Sequence, residues 1–426
     1  MNRLLYADLI AWKNFPDRKP LILEGARQVG KTWLLKEFGS KEYENFIYIN
    51  CDNNPQIADL FYDYDIDRIL RAVSAYSNQK IEKHKTFIFF DEIQEIKNAL
   101  HSLKYFCEQA PEYHIAMAGS LLGIKLHEGT SFPVGKVQTL RLYPMNFTEF
   151  LMAMGKDALV EILNSKNWAE ICSFRTQFIE LLRQYYFTGG MPAVVQEYVS
   201  SGDLQKVRSL QNEILSNYAN DISKHAPVKD VPKINLVWNA IPSQLAKENK
   251  KFVYGAIKKG ARAAEYENAI QWLCNAGLVT KVSRVKKASM PLKFYEDFSA
   301  FKLFVLDCGL FGAMSGTPAK DILIGSNIFS EYKGAFTEQF VAQQFFAAEG
   351  VAPYYFTNEN STLELDFVIQ TEDKVIPIEV KAEENLRSKS LSSFLEKNPE
   401  LHGLRFSMAD YREQERFTNI PLYAIK

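Results

Sequence analysis

Pro20-Leu21-Ile22-Leu23-Glu24-Gly25-Ala26-Arg27-Gln28-Val29-Gly30-Lys31-Thr32-Trp33 decides how this chain is read. A short apolar run, Leu21 to Leu23, feeds a loop of the form G-x-x-x-x-G-K-T, and Trp33 to Phe38 reads as helix. That strand, loop and helix together make the setting in which such a loop cradles phosphate. Glycines let backbone N–H groups turn inward around phosphate oxygens, and the helix N-terminus adds partial positive charge. Lys31 is placed to reach the β- and γ-phosphates, and the Thr32 hydroxyl to ligate Mg²⁺. Gly25 to Trp33 is therefore the expected nucleotide-binding segment, with ATP and Mg²⁺ as cofactors. A plain turn with a chance Lys-Thr is the competing reading, and the acidic strand end downstream weighs against it.

That strand end is Thr86-Phe87-Ile88-Phe89-Phe90-Asp91-Glu92. A buried strand closing on an acidic pair places Asp91 to hold the metal and Glu92 to act as general base or to orient water. Phe46 to Asn50 reads as a strand between the two motifs. The next strand, His114 to Ala118, ends in Gly119-Ser120, and a polar residue beside the phosphate loop makes Ser120 a candidate sensor of the γ-phosphate. A turn serine is the alternative.

The chain has 426 residues, is 47% hydrophobic and 24% charged, and carries a net charge of −1. These values fit a soluble chain of several domains and give no global bias toward nucleic acid. No apolar run is long enough to span a bilayer, and the N-terminus lacks the pattern of a signal peptide. Five dispersed cysteines, Cys51, Cys107, Cys172, Cys274 and Cys308, read as reduced thiols of a cytoplasmic protein and argue against zinc. No membrane partner is expected.

The combination E-G-A-R-Q-V-G-K-T, F-F-D-E-I-Q, A-G-S and L-Y-P-M-N-F-T-E-F resembles a prokaryotic AAA+-type ATPase family whose ATPase is followed by an uncharacterised, nuclease-like C-terminal domain. Thr188-Gly189-Gly190-Met191-Pro192 and Asp221 extend the resemblance. It implies an α/β chain: a RecA/AAA-like P-loop parallel sheet of five strands over residues 1–150 and a helical lid over 151–230. One departure matters. Such ATPases use an arginine from a neighbouring subunit to neutralise transition-state charge, and Gly135-Lys136 stands where the family often has Gly-Arg. Arg141 is the nearest alternative, with a packing role equally open to it. Slow intrinsic hydrolysis, used as a switch, is expected, with an oligomer possible.

Residues 231–315 read as a winged helix. Pro242 to Lys247 starts a short helix with Ser243 near its cap, Ala264 to Cys274 forms a longer one, and Val279 to Val285 pairs with Phe301 to Leu306. Basic residues gather here: Lys250, Lys251, Lys258, Lys259, Arg262, Lys281, Arg284, Lys286, Lys287 and Lys293. Such a face suits salt-sensitive, sequence-independent contact with DNA phosphates. A solvated structural face is the alternative.

Residues 326–426 return to an α/β pattern, with a helix over Tyr332 to Ala348 that carries Glu338. Leu363 to Ile369 and Val375 to Lys381 read as a hairpin about Thr371-Glu372-Asp373-Lys374. A two-residue or symmetric four-residue loop sets Asp366 opposite Glu379 and Glu364 opposite Lys381, all on one face. Opposed like charges are mildly destabilising, so Asp366 against Glu379 points to a cation or a functional demand. Glu364 with Lys381 reads as a cross-strand ion pair. The arrangement D-(x)₁₂-E-V-K after a helix bearing a glutamate resembles the PD-(D/E)xK nuclease core of restriction endonucleases. That resemblance implies Asp366 and Glu379 as Mg²⁺ ligands, Lys381 as catalytic lysine and Glu338 as an outer ligand or orienter.

Two functions follow as expectations. One is an ATP-dependent switch acting on DNA through the winged helix and the nuclease-like domain. The other is a noncatalytic regulatory or assembly ATPase whose C-terminal domains bind a protein partner. A small-molecule kinase is disfavoured by the Asp91-Glu92 strand end and the long appended segments.

Overall fold

The computed structural model describes all residues except 1, 97, 121–132, 248–250, 325–326, 349, 359–362, 383–387 and 426; Lys250 of the basic group lies outside the described residues. The chain divides into two compact units, Met1–Tyr143 with Asn275–Gly277, and Pro144–Cys274 with Leu278–Lys426. None of the described helices is long and apolar enough to cross a membrane.

The first unit is built on five strands: β1 (Leu21–Glu24), β2 (Asn45–Asn50), β3 (Thr86–Asp91), β4 (His114–Ala118) and β5 (Gln138–Arg141). Their order is β2-β3-β4-β1-β5 and all pairings are parallel. Parallel sheets are covered on both faces, so their strands are apolar runs rather than alternating ones. All six residues of β3 and all five of β4 are buried accordingly. Helix Ile66–Ser77 shows how a crossover is specified: the Asp65 side chain caps its first turn through Arg68 N (3.0 Å), and Ile66, Ile69, Leu70 and Val73 form its buried stripe. The N-terminal helix, Leu5–Asn14, buries Leu9 and Trp12. Trp12 meets Phe87, Phe38 and His114 in an aromatic cluster completed by Tyr43, whose hydroxyl lies 2.6 Å from His114 Nδ1.

The second unit joins helices to one mixed sheet. Its strands are β6 (Val279–Val285), β7 (Glu296–Val305), β8 (Tyr354–Thr357), β9 (Glu364–Gln370), β10 (Val375–Val380), β11 (Gly403–Ser407), β12 (Arg412–Glu413) and β13 (Phe417–Pro421), in the order β12-β13-β11-β10-β9-β8-β6-β7. The hairpin expected as the wing of a 231–315 domain is thus paired into the C-terminal sheet, through parallel bonds of β6 to β8. The helices expected as a lid, among them Arg175–Thr188 and Leu204–His225, also fall in this unit. Pro242 does not open a helix. It lies in the last turn of Val231–Leu245, where a missing N–H removes one bond of a ladder already ending, and the Ser243 hydroxyl donates to Ala240 O rather than capping.

A buried carboxylate organises this unit. Asp307, two residues beyond β7 and the N-cap of helix Cys308–Met314, accepts from Gly190 N (2.5 Å), Leu310 N (2.9 Å) and Gln343 Nε2 (3.2 Å). Burial raises its pKa, and the hydrogen bonds it accepts offset that only in part. The turn it grips tolerates no side chain: a Cβ on Gly190 would meet Met145 O at 2.0 Å, and one on Gly309 would meet Thr188 O at 2.4 Å.

Gly190→Ala should therefore destabilise the protein by at least about 2 kcal/mol, the scale of a backbone clash in a packed core, read as a lowered urea midpoint; an unchanged midpoint would show that the turn tolerates a side chain. A second expectation concerns acid. Burial holds the His114 imidazole down at about 3, from 6.5, so it is neutral in the fold. The unfolded chain takes up this proton first, and the stability present above about pH 6.5 is lost as pH falls toward the folded value. Urea unfolding compared at about pH 7 and about pH 4.5 should show a steeper loss in the native protein than in His114→Phe.

Candidate functional site

The phosphate loop leaves the carboxyl end of β1 and closes on helix Lys31–Glu42, whose N-cap is Gly30 at φ 98°. Gly25 is needed for space: a Cβ there would meet Leu142 O at 2.3 Å. Val29 and Ala26 are buried, whereas Arg27 and Gln28 are exposed and Trp33 is 44% exposed. Arg3 holds the loop from behind, donating from Nη1 to Val29 O (2.8 Å) and from Nη2 to Tyr143 O (2.6 Å). Sequence reasoning missed this arginine, because an N-terminal basic residue carries no local signal.

Lys31 is 6% exposed, and its ammonium donates to Gly25 O (2.9 Å) and Ala26 O (2.8 Å). Burial lowers its pKa to about 8, against the pull of Glu92 and Asp91. Thr32 Oγ1 donates to Asp91 Oδ2 at 2.7 Å, and Tyr48 OH reaches the same oxygen at 3.3 Å. Burial raises the Asp91 pKa, partly offset by the Thr32 bond.

Glu92 adopts a left-handed backbone, φ 52°. That conformation is costly for a non-glycine residue and is found where the surroundings over-determine it. Ser120 Oγ donates to Glu92 Oε1 (2.8 Å), and Gln94 Nε2 donates to Oε2 (2.6 Å). Burial pushes this carboxyl up, but the bonds from Gln94 and Ser120 outweigh it and keep its pKa below the usual value. The residues present fit Mg²⁺-ATP: a cradle closed to side chains, a buried ammonium, and a hydroxyl already against a buried carboxylate. Lys136, at the expected arginine position, pairs with Glu108 at 2.8 Å. Arg141 is exposed, with its guanidinium 5.5 Å from the Tyr143 ring centroid.

In the second unit the hairpin β9–β10 turns at Glu372-Asp373, with Thr371 N donating to Lys374 O (2.9 Å). Ile376 pairs with Ile369 and Ile378 with Phe367, so the next position sets Asp366 opposite Glu379, the register expected from loop length. Asp366 Oδ2 accepts from Val380 N at 2.8 Å. Glu379 is 4% exposed, and its Oε2 is buried without a hydrogen-bond partner among the described residues. Lys381 Nζ lies 2.8 Å from Glu379 Oε1.

Two expected partnerships are replaced. Glu364 pairs with Lys302 at 2.7 Å, not with Lys381, because Lys302 is wholly buried on β7 and must be compensated there. Glu338, expected as an outer ligand, lies 3.6 Å from the same ammonium. Lys302 was legible as a lone charge in the apolar run Phe301 to Leu306, and Arg405 as a lone charge in β11. Arg405 faces Glu379 across the sheet and is 1% exposed, with Nε donating to Asn419 Oδ1 at 2.8 Å. Among the described residues no group of three or more His, Cys, Asp or Glu is placed to hold a metal ion.

Comparison with known proteins divides the chain into three matched stretches. Residues 17–151 match the model of an AAA domain, and residues 179–321 and 333–425 match two domains of unknown function, DUF8612 and DUF4143. No curated protein matches the chain. Among solved structures, the Walker-type ATPase PABY2304 of Pyrococcus abyssi is 15% identical with a TM-score of 0.45, covering 74% of this chain and 95% of its own. The Aeropyrum pernix ORC1 protein, solved in complex with DNA, is 13% identical with a TM-score of 0.29, covering 75% and 94%. The RuvB Holliday junction branch migration motor of Thermotoga maritima is 16% identical with a TM-score of 0.26, covering 65% and 86%. The matched model and the geometry of Lys31, Thr32, Asp91 and Glu92 agree: residues 17–151 form an AAA-type P-loop ATPase domain.

Proposed function

We propose that this protein is an ATP-hydrolysing switch that acts on nucleic acid. The observation that carries the ATPase reading is the pair of hydrogen bonds Thr32–Asp91 and Ser120–Glu92, which joins loop, metal-side carboxylate and base in one first-unit site. ATP and Mg²⁺ supply a phosphoryl group for transfer to water and a cation that neutralises its charge. Lys31 and the loop N–H groups hold the phosphates, and Thr32 and Asp91 hold the cation. Glu92, kept ionised by Gln94 and Ser120, orients the attacking water and accepts its proton.

In the second unit we assign Asp366 and Glu379 to a divalent cation, with Lys381 beside them for a phosphodiester. The orphan Glu379 Oε2 supports this, since a buried carboxylate oxygen without a donor is costly unless a cation meets it. The exposed lysines Lys258, Lys259, Lys286 and Lys287 give the polyanion its electrostatic footing. The second reading, a noncatalytic platform for a protein partner, is favoured by the compensation of Glu338 and Glu364 by Lys302.

Lys31→Ala should weaken ATP binding by roughly 10- to 100-fold, the scale of a lost charge-assisted hydrogen bond. Glu92→Gln should leave binding intact and lower turnover by roughly 10²- to 10⁴-fold; calorimetry and phosphate release check both. Above about pH 8 the free protein should bind ATP more weakly, because Lys31 loses its proton there. For the second unit, Mn²⁺ titration should show binding that Asp366→Ala abolishes, with Mn²⁺-dependent cleavage of DNA by the native protein. Metal binding without cleavage would select the platform reading, and no metal binding would overturn the assignment of Asp366 and Glu379.

A further inference from the structure

The tip of the β6–β7 hairpin presents aromatic rings to solvent. Phe294 is 82% exposed and Phe298 69%, with Met290 at 40%. They are not displaced core residues, because Leu292 and Ala300 beside them are buried, and Leu292 N donates to Gln370 Oε1 at 2.8 Å. A bulge presents Phe298. Ser283 pairs with Phe301 while the adjacent Arg284 pairs with Asp297, which leaves 298–300 without partners in the ladder. Bulges of this kind re-aim side chains. Phe294 stands on a single turn, Leu292–Tyr295, anchored by the buried Leu292.

Cations are interleaved with these rings. Besides the buried Lys302, the hairpin from Val279 to Val305 holds five, Lys281, Arg284, Lys286, Lys287 and Lys293, against the two acids Glu296 and Asp297. Asp297 is engaged by Arg284 and Glu296 by Lys293. Lys293 Nζ lies 5.7 Å from the Phe298 ring centroid, and Lys287 Nζ lies 5.8 Å from that of Tyr295. Lys281, Lys286, Lys287 and Lys293 are all exposed.

Open ring faces between ammonium groups match a polymer whose planar, apolar groups alternate with anions. Single-stranded nucleic acid is such a polymer: phosphates meet the lysines and unpaired bases stack on the rings. A duplex keeps its bases stacked on each other and offers the rings nothing. A lipid surface fits less well, because the ammonium beside Phe298 would be drawn into the acyl region with it.

We propose that the hairpin tip is a platform for single-stranded nucleic acid, with Phe294 and Phe298 each stacking a base and Lys286, Lys287 and Lys293 meeting the phosphates. This rests on the reading above only in taking nucleic acid as the partner. It adds the strand state and names the residues that sense it.

Fluorescence anisotropy with the full chain tests it, using a labelled oligothymidylate of about 20 nucleotides, long enough to cover one site, and a duplex of the same length. The single strand should bind more tightly. Phe294→Ala and Phe298→Ala should each weaken it by roughly 5- to 100-fold, the range for one lost base stack, with duplex affinity and melting temperature unchanged. Lys286→Glu with Lys287→Glu should weaken both polymers. Equal affinity for the two, with the phenylalanine variants behaving as native, would overturn the platform and leave the nucleic-acid reading standing. Failure to bind either polymer would overturn both. Binding of phosphatidylserine vesicles that the phenylalanine variants lose, in a protein that ignores oligonucleotides, would assign the tip to a membrane and also overturn the proposal.

Discussion

The hydrogen bond from Thr32 to Asp91 depends on one constraint, the parallel order β3-β4-β1. Every strand of a parallel sheet ends on the same edge, so the loop after β1, the acids after β3 and Ser120 after β4 all emerge together. With β4 between them, β1 and β3 are two strand spacings apart, about 10 Å. Thr32, in the first turn of the helix that follows the loop, reaches Asp91 across that gap, whereas Ser120 after β4 meets Glu92 after the adjacent β3. A substitution that shifted β4 would separate the loop from its carboxylates without touching any of them.

The second unit has a different organising constraint, the burial of charge within a mixed sheet. Asp307 binds the Gly189-Gly190 turn and the start of helix Cys308–Met314. Lys302, five residues earlier in the chain, answers Glu364 and Glu338. Arg405 faces Glu379, with burial lowering its pKa and Glu379 opposing that shift. Such groups are costly alone and tolerable together. The four carboxylates are therefore not equivalent: Glu338 and Glu364 share Lys302, Glu379 pairs with Lys381, and Asp366 accepts from Val380 N.

Much of the first unit was legible because its signals are local. Gly25, Gly30, Lys31 and Thr32 lie in one loop, and the acids Asp91 and Glu92 follow an unbroken apolar run, so pattern alone sufficed. The register of β9 and β10 was legible for a similar reason, since loop length and strand alternation fix it together. What escaped was long-range. The pairing of Glu364 with Lys302 instead of Lys381 depends on which strand stacks beside β8, and no window of sequence contains that information. The same holds for the hairpin β6–β7, which has the spacing of a wing but donates its edge to β8. Arg3, remote in sequence from the carbonyls it binds, was hidden for this reason too.

In the function we propose, the nucleotide held at Lys31 and Thr32 governs what the second unit does with nucleic acid. The direct measurement is the affinity of the Glu92→Gln protein for single-stranded DNA when loaded with ATP and when loaded with ADP. A switch requires the two nucleotide states to differ by a coupling free energy of typical allosteric size, giving affinities at least about fivefold apart. Equal affinities in the two states, in a protein shown to bind both nucleotides, would rule out a nucleotide switch.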